Sequence, residues 1–339
     1  MKQAGVLGTG LIGTSIALGL KQAGWAVHGW DPSPTTVGAL DALDAFSMVA
    51  ATADGAVAGA DLVVVAGPPA SVPGVLAGLA TGALVTDVAG VKAGIPRAAA
   101  HLAHYVSGHP MAGRETSGPE AASASLFRGA AWVLITDGAS ETDLGRMEEV
   151  VALLGANPVR MGAEEHDDAV AVISHLPQVL AAALIREAMD HPAGLQLASG
   201  SFRDLTRVAA SDPRLWANLL VRNAAPVGQV IASYQRRLDA WAAAVEAGDE
   251  EQLAEALGEA GRARRELAPP VVAVEVALAD RPGELARVGR ALESSQIDVR
   301  DLQLRHSPHG GGGILTLSVR PGEAGALQGA LEAEGLLLA

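Results

Sequence analysis

The 339-residue length exceeds what one hydrophobic core organises, so two or three domains are expected. Apolar residues make up 49% and aromatic residues 3%, which predicts globular cores filled by alanine, valine and leucine. A formal net charge of −14 argues against a nucleic-acid partner, and the lack of cysteine excludes disulfides, thiolate metal sites and cysteine nucleophiles.

From residue 1 to 162, short β-branched runs alternate with Ala/Leu-rich helical stretches. Gly5–Leu7, Ala26–Trp30, Leu62–Val65, Leu84–Asp87, Tyr105–Ser107 and Trp132–Ile135 are the expected strands. Several are apolar throughout, as in strands covered by helices on both faces, and the alternation predicts an α/β domain with a doubly wound parallel sheet of the Rossmann type. Met1–Leu7 enters the first strand without a charged leader and apolar stretch, so no export signal is expected and a cytoplasmic location fits.

The first strand runs into Gly8-Thr9-Gly10-Leu11-Ile12-Gly13 and at once into the helical run Thr14–Ala23. In that context the motif is a dinucleotide fingerprint: a tight turn at Gly8, close approach of a diphosphate at Gly10, helix–strand packing at Gly13, and free N–H groups at the helix start. Asp31 ends the second strand, where a carboxylate accepts ribose hydroxyls and repels a 2′-phosphate, so the expected cofactor is NAD. The plainer reading, a turn with Asp31 capping the next helix, does not account for the combined spacing.

After residue 162 the strand signals stop. Ala163–Met189, Arg203–Ala210, Pro213–Val245 and Glu250–Leu267 read as helices of a second domain, 163–267. Ala169–Leu184 is apolar nearly all round and must be covered on every side, by a second subunit in a homodimer or by its neighbours in a monomeric bundle. It is short for a bilayer and carries Ser174, His175, Pro177 and Gln178, so no membrane is expected as a partner. Arg262, Arg264 and Arg265 read as a solvated helix end. Pro269-Pro270 then breaks the helix, and 271–339 reads as a β-α-β-β-α unit of ferredoxin-like order, with turn chemistry at Asp280-Arg281-Pro282-Gly283 and Glu284 in the first turn of its helix.

Polar residues that a core would not tolerate cluster in Asp87–Lys92, Gly108–Glu115 and Gly200–Arg207. The first two follow strands at the carboxyl edge, where open α/β sheets bind ligands. Hydride transfer from an alcohol needs a group for the hydroxyl proton, and His109 has a suitable side chain on such a loop. His166 and His191 read as ordinary surface positions, and no His/Asp/Glu spacing suggests a metal.

The set VLGTGLIGTSIALGL, DVAGVK, GHPMAGRETSG, SHLPQ and FRDLTRVAASDPRLW resembles the prephenate/arogenate dehydrogenase family, from the glycine motif to about residue 240. The resemblance implies NAD-dependent oxidative decarboxylation of prephenate to 4-hydroxyphenylpyruvate on the route to tyrosine, with arogenate as the alternative substrate. It implies that His109 accepts a hydrogen bond from the ring hydroxyl and that Arg207 binds a substrate carboxylate. Asp204, Glu115 and Trp216 match positions that orient that arginine or gate the pocket. His175 matches a substrate-site histidine, although a satisfied buried histidine explains it as well. Two departures stand out: many members have serine at the position of Gly90, and many prephenate-selective members have histidine at that of Gln178.

The stretch ADRPGELARVGRALESSQIDV resembles an ACT domain, which implies sensing of an amino acid, tyrosine first among candidates, near Asp280, Pro282, Gly283 and Glu284. A stabilising appendage is the plainer alternative. A β-hydroxyacid dehydrogenase would carry a late catalytic lysine, and Ala163–Ala240 has none. From another class, a non-catalytic NAD-linked amino-acid sensor fits Gly90 and Gln178 but not the joint presence of His109, Asp204 and Arg207.

Overall fold

The computed structural model describes residues 1–40, 43–113, 116, 118–198, 200–267, 271–306 and 312–339. The chain divides into two compact units, Met1–Gln235 and Arg236–Ala339. The first opens with β1 (Gln3–Leu7), α1 (Leu11–Gln22), β2 (Ala26–Trp30), α2 (Pro34–Leu40), β3 (Met48–Val49), α3 (Ala53–Val57), β4 (Leu62–Val65), α4 (Val72–Gly78), β5 (Leu84–Asp87), α5 (Ile95–Ala98), β6 (Tyr105–Pro110), β7 (Ala131–Ile135), α6 (Glu141–Leu153) and β8 (Asn157–Met161). They form an eight-stranded sheet in the order β3-β2-β1-β4-β5-β6-β7-β8.

Strand periodicity sends neighbouring residues to opposite faces, and β4 is buried on both. Leu62 and Val64 pack with Ile16, Leu20 and Leu144 in one core, while Val63 and Val65 pack with Val72 and Leu76 in the other. Each such side chain contributes about 1.5–3 kcal/mol on burial, so the continuous apolar run is strongly held in the sheet. The strand order reverses between β2 and β4 on either side of β1, so a crevice opens at the carboxyl ends beside the glycine motif.

The sheet departs from the all-parallel expectation at one side. β7 pairs antiparallel to β6, and β8 runs parallel to β7. The described part of the β6–β7 connection carries a single 3₁₀ turn, Pro119–Ala121, and a parallel return needs a crossover element there. Two strands of this sheet lay outside the sequence reading, as did the strand Leu337–Leu338 of the second unit: β3 has two residues, and β8 is a largely exposed edge strand with Pro158 and Arg160 in it.

The helical region begins with α7 (Ala163–Val170), a π-turn over Ala171–His175, and α8 (Leu176–Met189), one run as expected but widened at its centre. Pro177 has no N–H to offer the preceding turn, which accounts for the widening. Next come α9 (Pro192–Gln196), α10 (Gly200–Thr206), a 3₁₀ turn Arg207–Ala210, α11 (Pro213–Arg222), α12 (Ala224–Ala247) and α13 (Glu250–Glu266). The expected single helix 213–245 breaks at Asn223, whose buried side chain is drawn into the site described below.

In the second unit β9 (Val272–Leu278), α14 (Glu284–Ser295), β10 (Asp301–His306), β11 (Gly313–Val319), α15 (Ala324–Ala333) and β12 (Leu337–Leu338) form a four-stranded antiparallel sheet, order β10-β11-β9-β12, with two helices. Val274, Val276, Leu278, Leu315, Leu317 and Val319 alternate inward against Val288, Ala291, Leu327 and Leu331. This one-sided burial is the signature of a half-covered antiparallel sheet.

Candidate active site

At the end of β1 the backbone turns through Gly8 at φ +98°, a conformation that a side chain would strain, and Gly8 N–H donates to Trp30 O. A Cβ on Gly13 would lie 1.9 Å from Gly8 O, so glycine there is what lets α1 seat against the turn. Gly10 faces open space and caps α1 without any side-chain hydrogen bond. The N–H groups of Leu11, Ile12 and Gly13 are thus presented at a positive helix end to an approaching diphosphate. Asp31 Oδ2 accepts from Thr9 N at 2.8 Å and Thr9 Oγ1 at 3.3 Å, and Asp31 Oδ1 accepts from Ser33 N at 2.9 Å. The half-exposed carboxylate keeps acceptor capacity on Oδ1, so these residues fit a dinucleotide with a free ribose diol.

Three strand spacings along the same edge, roughly 14 Å, His109 sits near the end of β6. Below it lies a fully buried ion pair. Asp87 Oδ1 accepts from Lys92 Nζ at 2.8 Å and Ala89 N at 2.9 Å, Asp87 Oδ2 accepts from Tyr105 Oη and Ser107 Oγ at 2.6 Å each, and Lys92 Nζ also donates to Gly108 O. This network ties the loop after β5 to the part of β6 that precedes the histidine. Such a pair is a poor source of net stability, but loss of one partner would leave a buried charge.

The His109 ring is held on one side and faces a glycine on the other. His109 Nδ1 lies 2.8 Å from His166 Nε2, and His166 Nδ1 lies 2.8 Å from Asp167 Oδ1. A Cβ on Gly90 would stand 3.5 Å from His109 Nε2 and 3.2 Å from Leu219 Cδ2. Burial, then the neighbouring positive charge of Lys92, then His166 and His175, hold the His109 imidazole well below the usual histidine range. The ring is therefore neutral at neutral pH, as a proton acceptor must be. His175 is also pushed down, first by burial.

His175 is buried beside the π-turn, with Nδ1 3.1 Å from Asn223 Nδ2 and its ring edge-on to Trp216 at 6.1 Å. Asn223 Nδ2 also donates to Asp167 O at 2.7 Å. The structure thus gathers His109, Gly90, His175 and Trp216 into one connected region. Gln178 follows on α8, buried, its Oε1 without a hydrogen-bond partner among the described residues. Arg207 and Asp204 are exposed, on a segment that packs against α8. Glu115 lies outside the described residues.

The surface assignment of His166 is corrected: the residue is 0% exposed. Its neighbour Asp167 is buried too, accepting Lys92 N on Oδ1 and Ala93 N on Oδ2 at 2.8 Å each. The i, i+4 pair His166 and Val170 was the available signal of a buried stripe. His191 is exposed, as expected. Among the described residues no cluster of three or more His, Asp or Glu is placed to hold a metal ion.

In the second unit Asp280, Pro282, Gly283 and Glu284 line a cavity of about 250 Å³ with Leu278, Leu304 and Gly312. Glu284 Oε1 is committed to Arg281 Nε at 2.9 Å and Arg287 Nη1 at 3.1 Å, and these arginines, Arg281 first, hold its carboxyl below the usual range.

A doubly wound sheet with a glycine-turn diphosphate cradle and a neutral histidine on the same edge defines an NAD-dependent dehydrogenase. The comparisons with known proteins sharpen the class. Residues 16–160 match the prephenate dehydrogenase nucleotide-binding domain, and residues 162–259 match the prephenate dehydrogenase dimerization domain. The chain is 32% identical over 353 residues to the probable prephenate dehydrogenase NovF of Streptomyces niveus, covering 96% of each. It is 32% identical over 228 residues to the prephenate dehydrogenase of Bacillus subtilis, covering 63% of this chain and 61% of that one, less than two thirds of its length. Among solved structures, Aquifex aeolicus prephenate dehydrogenase in complex with hydroxyphenyl propionate and NAD+ aligns with TM-score 0.72 at 26% identity, over 79% of this chain and 99% of the other. Synechocystis arogenate dehydrogenase aligns with TM-score 0.68 at 27% identity, over 78% and 100%. The chain belongs to the prephenate dehydrogenase family.

Proposed function

We propose that the protein oxidises and decarboxylates prephenate to 4-hydroxyphenylpyruvate, with His109 as the group that holds the hydroxyl proton. The observation that carries this reading is the His109 imidazole at the carboxyl edge, neutral, with Nδ1 engaged by His166 and Nε2 turned toward Gly90. When bound, NAD supplies the hydride acceptor. His109 Nε2 accepts the hydrogen bond of the ring hydroxyl as its carbon loses hydride, and it returns the proton to the oxygen as the ring carboxylate leaves as carbon dioxide and the ring becomes aromatic. Arg207 binds a substrate carboxylate as a charge-assisted pair, Asp204 and Glu115 orient that arginine, and Trp216 with His175 walls the pocket. Gly90 contributes no hydroxyl, so water fills the place that serine takes in other members.

Arogenate is the second reading, and one observation favours it: the buried Oε1 of Gln178 is an acceptor with no partner among the described residues, and an ammonium group would supply the donor. The division into 1–162, 163–267 and 271–339 completes the reading, as nucleotide, substrate and dimerisation, and regulatory domains. The exposed Val172, Ile173 and Met189 on the long apolar helix support a homodimer through 163–267. That helix, 163–189, is long and apolar enough to cross a membrane, but it buries His175, Gln178 and Ala181 against protein, which supports a cytoplasmic enzyme. The β-α-β-β-α-β order and its sheet suit a ferredoxin-like ACT domain whose cavity at Asp280–Glu284 senses tyrosine. Prephenate and arogenate supplied in parallel with NAD or NADP, with and without tyrosine, test the reading through reduced nicotinamide. Turnover with prephenate and NAD, reduced by tyrosine, is expected. Turnover with arogenate alone selects the second reading, and turnover with neither refutes both.

A further inference from the structure

We infer that His166 and Asp167 form a relay that fixes the tautomer of His109, making His166 a positioning residue for the base. The inference rests on His109 acting as the base, and the hydrogen-bond inventory supplies the rest. Both oxygens of Asp167 already accept backbone N–H groups, Lys92 N on Oδ1 and Ala93 N on Oδ2. A carboxylate anchored in this way is an acceptor, so the His166 nitrogen 2.8 Å from Oδ1, Nδ1, donates to it. Where His166 carries a single N–H, that hydrogen is the one directed at Asp167 and Nε2 is a bare acceptor. The ring nitrogen facing it at 2.8 Å, His109 Nδ1, therefore carries the hydrogen. The lone pair of His109 is then on Nε2, the nitrogen on the Gly90 side.

The arrangement extends to the reaction. When His109 Nε2 takes the hydroxyl proton, the ring bears N–H on both nitrogens, and the bond from Nδ1 to His166 Nε2 becomes charge-assisted. The Asp167 carboxylate stands at the far end of the same line and opposes the new positive charge. No proton is gained or lost by the relay, since the one taken at Nε2 goes back to the product oxygen. His166 and Asp167 come from α7 and His109 from β6, so the seating of the helical region on the sheet sets the geometry of the base. Asn223 holds the main chain of Asp167 from α11's end and fixes that seating.

The full-length protein labelled with ¹⁵N-histidine, its His109 signal assigned by comparison with His109→Asn, tests this by the nitrogen shifts of the neutral ring. Protonated Nδ1 and bare Nε2 are expected in the wild type. In His166→Leu, which accepts no hydrogen bond, the two tautomers mix and kcat falls about 10- to 100-fold while KM stays within about twofold. His166→Gln, whose amide accepts from His109 and donates to Asp167, recovers most of that loss. A bare Nδ1 in the wild type, an unchanged His109 spectrum in His166→Leu, or a glutamine variant as impaired as the leucine variant overturns the relay. Should His109→Asn retain full turnover, the base assignment fails on its own, and the tautomer measurement still decides the hydrogen-bond order.

Discussion

A histidine reaches its working state here through its neighbours more than through its own position. Burial and the Lys92 charge disfavour the His109 imidazolium, so the residue stays neutral well below its ordinary value of about 6.5. The expected kcat/KM profile is flat as pH falls through 6.5 and declines only where His109 takes a proton, and a rate profile with an acid limb at or above about 6.5 would contradict it. The same depression has a stability sign. Below about 6.5 the unfolded chain binds protons at His109 and His175 that the native chain refuses, so stability falls with pH in that window and levels off below the folded values. Arg207 carries a different kind of prediction, because its proposed role is to hold a carboxylate in ground and transition states alike. Arg207→Ala raises KM by about 10- to 100-fold, the loss of one charge-assisted pair, with a smaller effect on kcat, and initial-rate kinetics that left KM unaltered would move the anion site elsewhere.

Elements explain why some residues could be read from the sequence and others could not. The glycine turn and Asp31 belong to a β1-α1-β2 segment whose geometry is local, so spacing alone brings Thr9 N to the Asp31 carboxylate. His109 was legible because a strand end on a parallel sheet is a predictable place. His166 was not, since its meaning depends on which face of α7 the sheet covers. Asn223 was hidden for a related reason: it interrupts a stretch with continuous helical periodicity, and only its bonds to Asp167 O and His175 show what the break is for. The apolar helix was expected to be covered on every side, and Ile173 stands 64% exposed on it. Ile173→Asp would place a charge on a proposed subunit contact, so sedimentation should find the wild type dimeric and the variant monomeric. A variant that stays dimeric, or a monomeric wild type, would remove this face from the interface.

At the scale of the molecule, the sheet provides an edge, the helical region provides the partners that surround what stands on it, and the environment of His109, the proposed base, is the product of both. Composition and length anticipated several domains, and the alternation of β4 across two cores bears out the two-sided sheet. Strand β7 was expected but its reversal against β6 was not, although the described part of the β6–β7 connection carries only a 3₁₀ turn. The proposed mechanism separates cofactor binding, at the glycine turn, from proton handling, at β6. His109→Asn measures that separation most directly when NAD titration and turnover are followed on the same protein. NAD affinity should be unchanged while kcat drops by about two to four powers of ten. Turnover equal to the wild type would contradict the account.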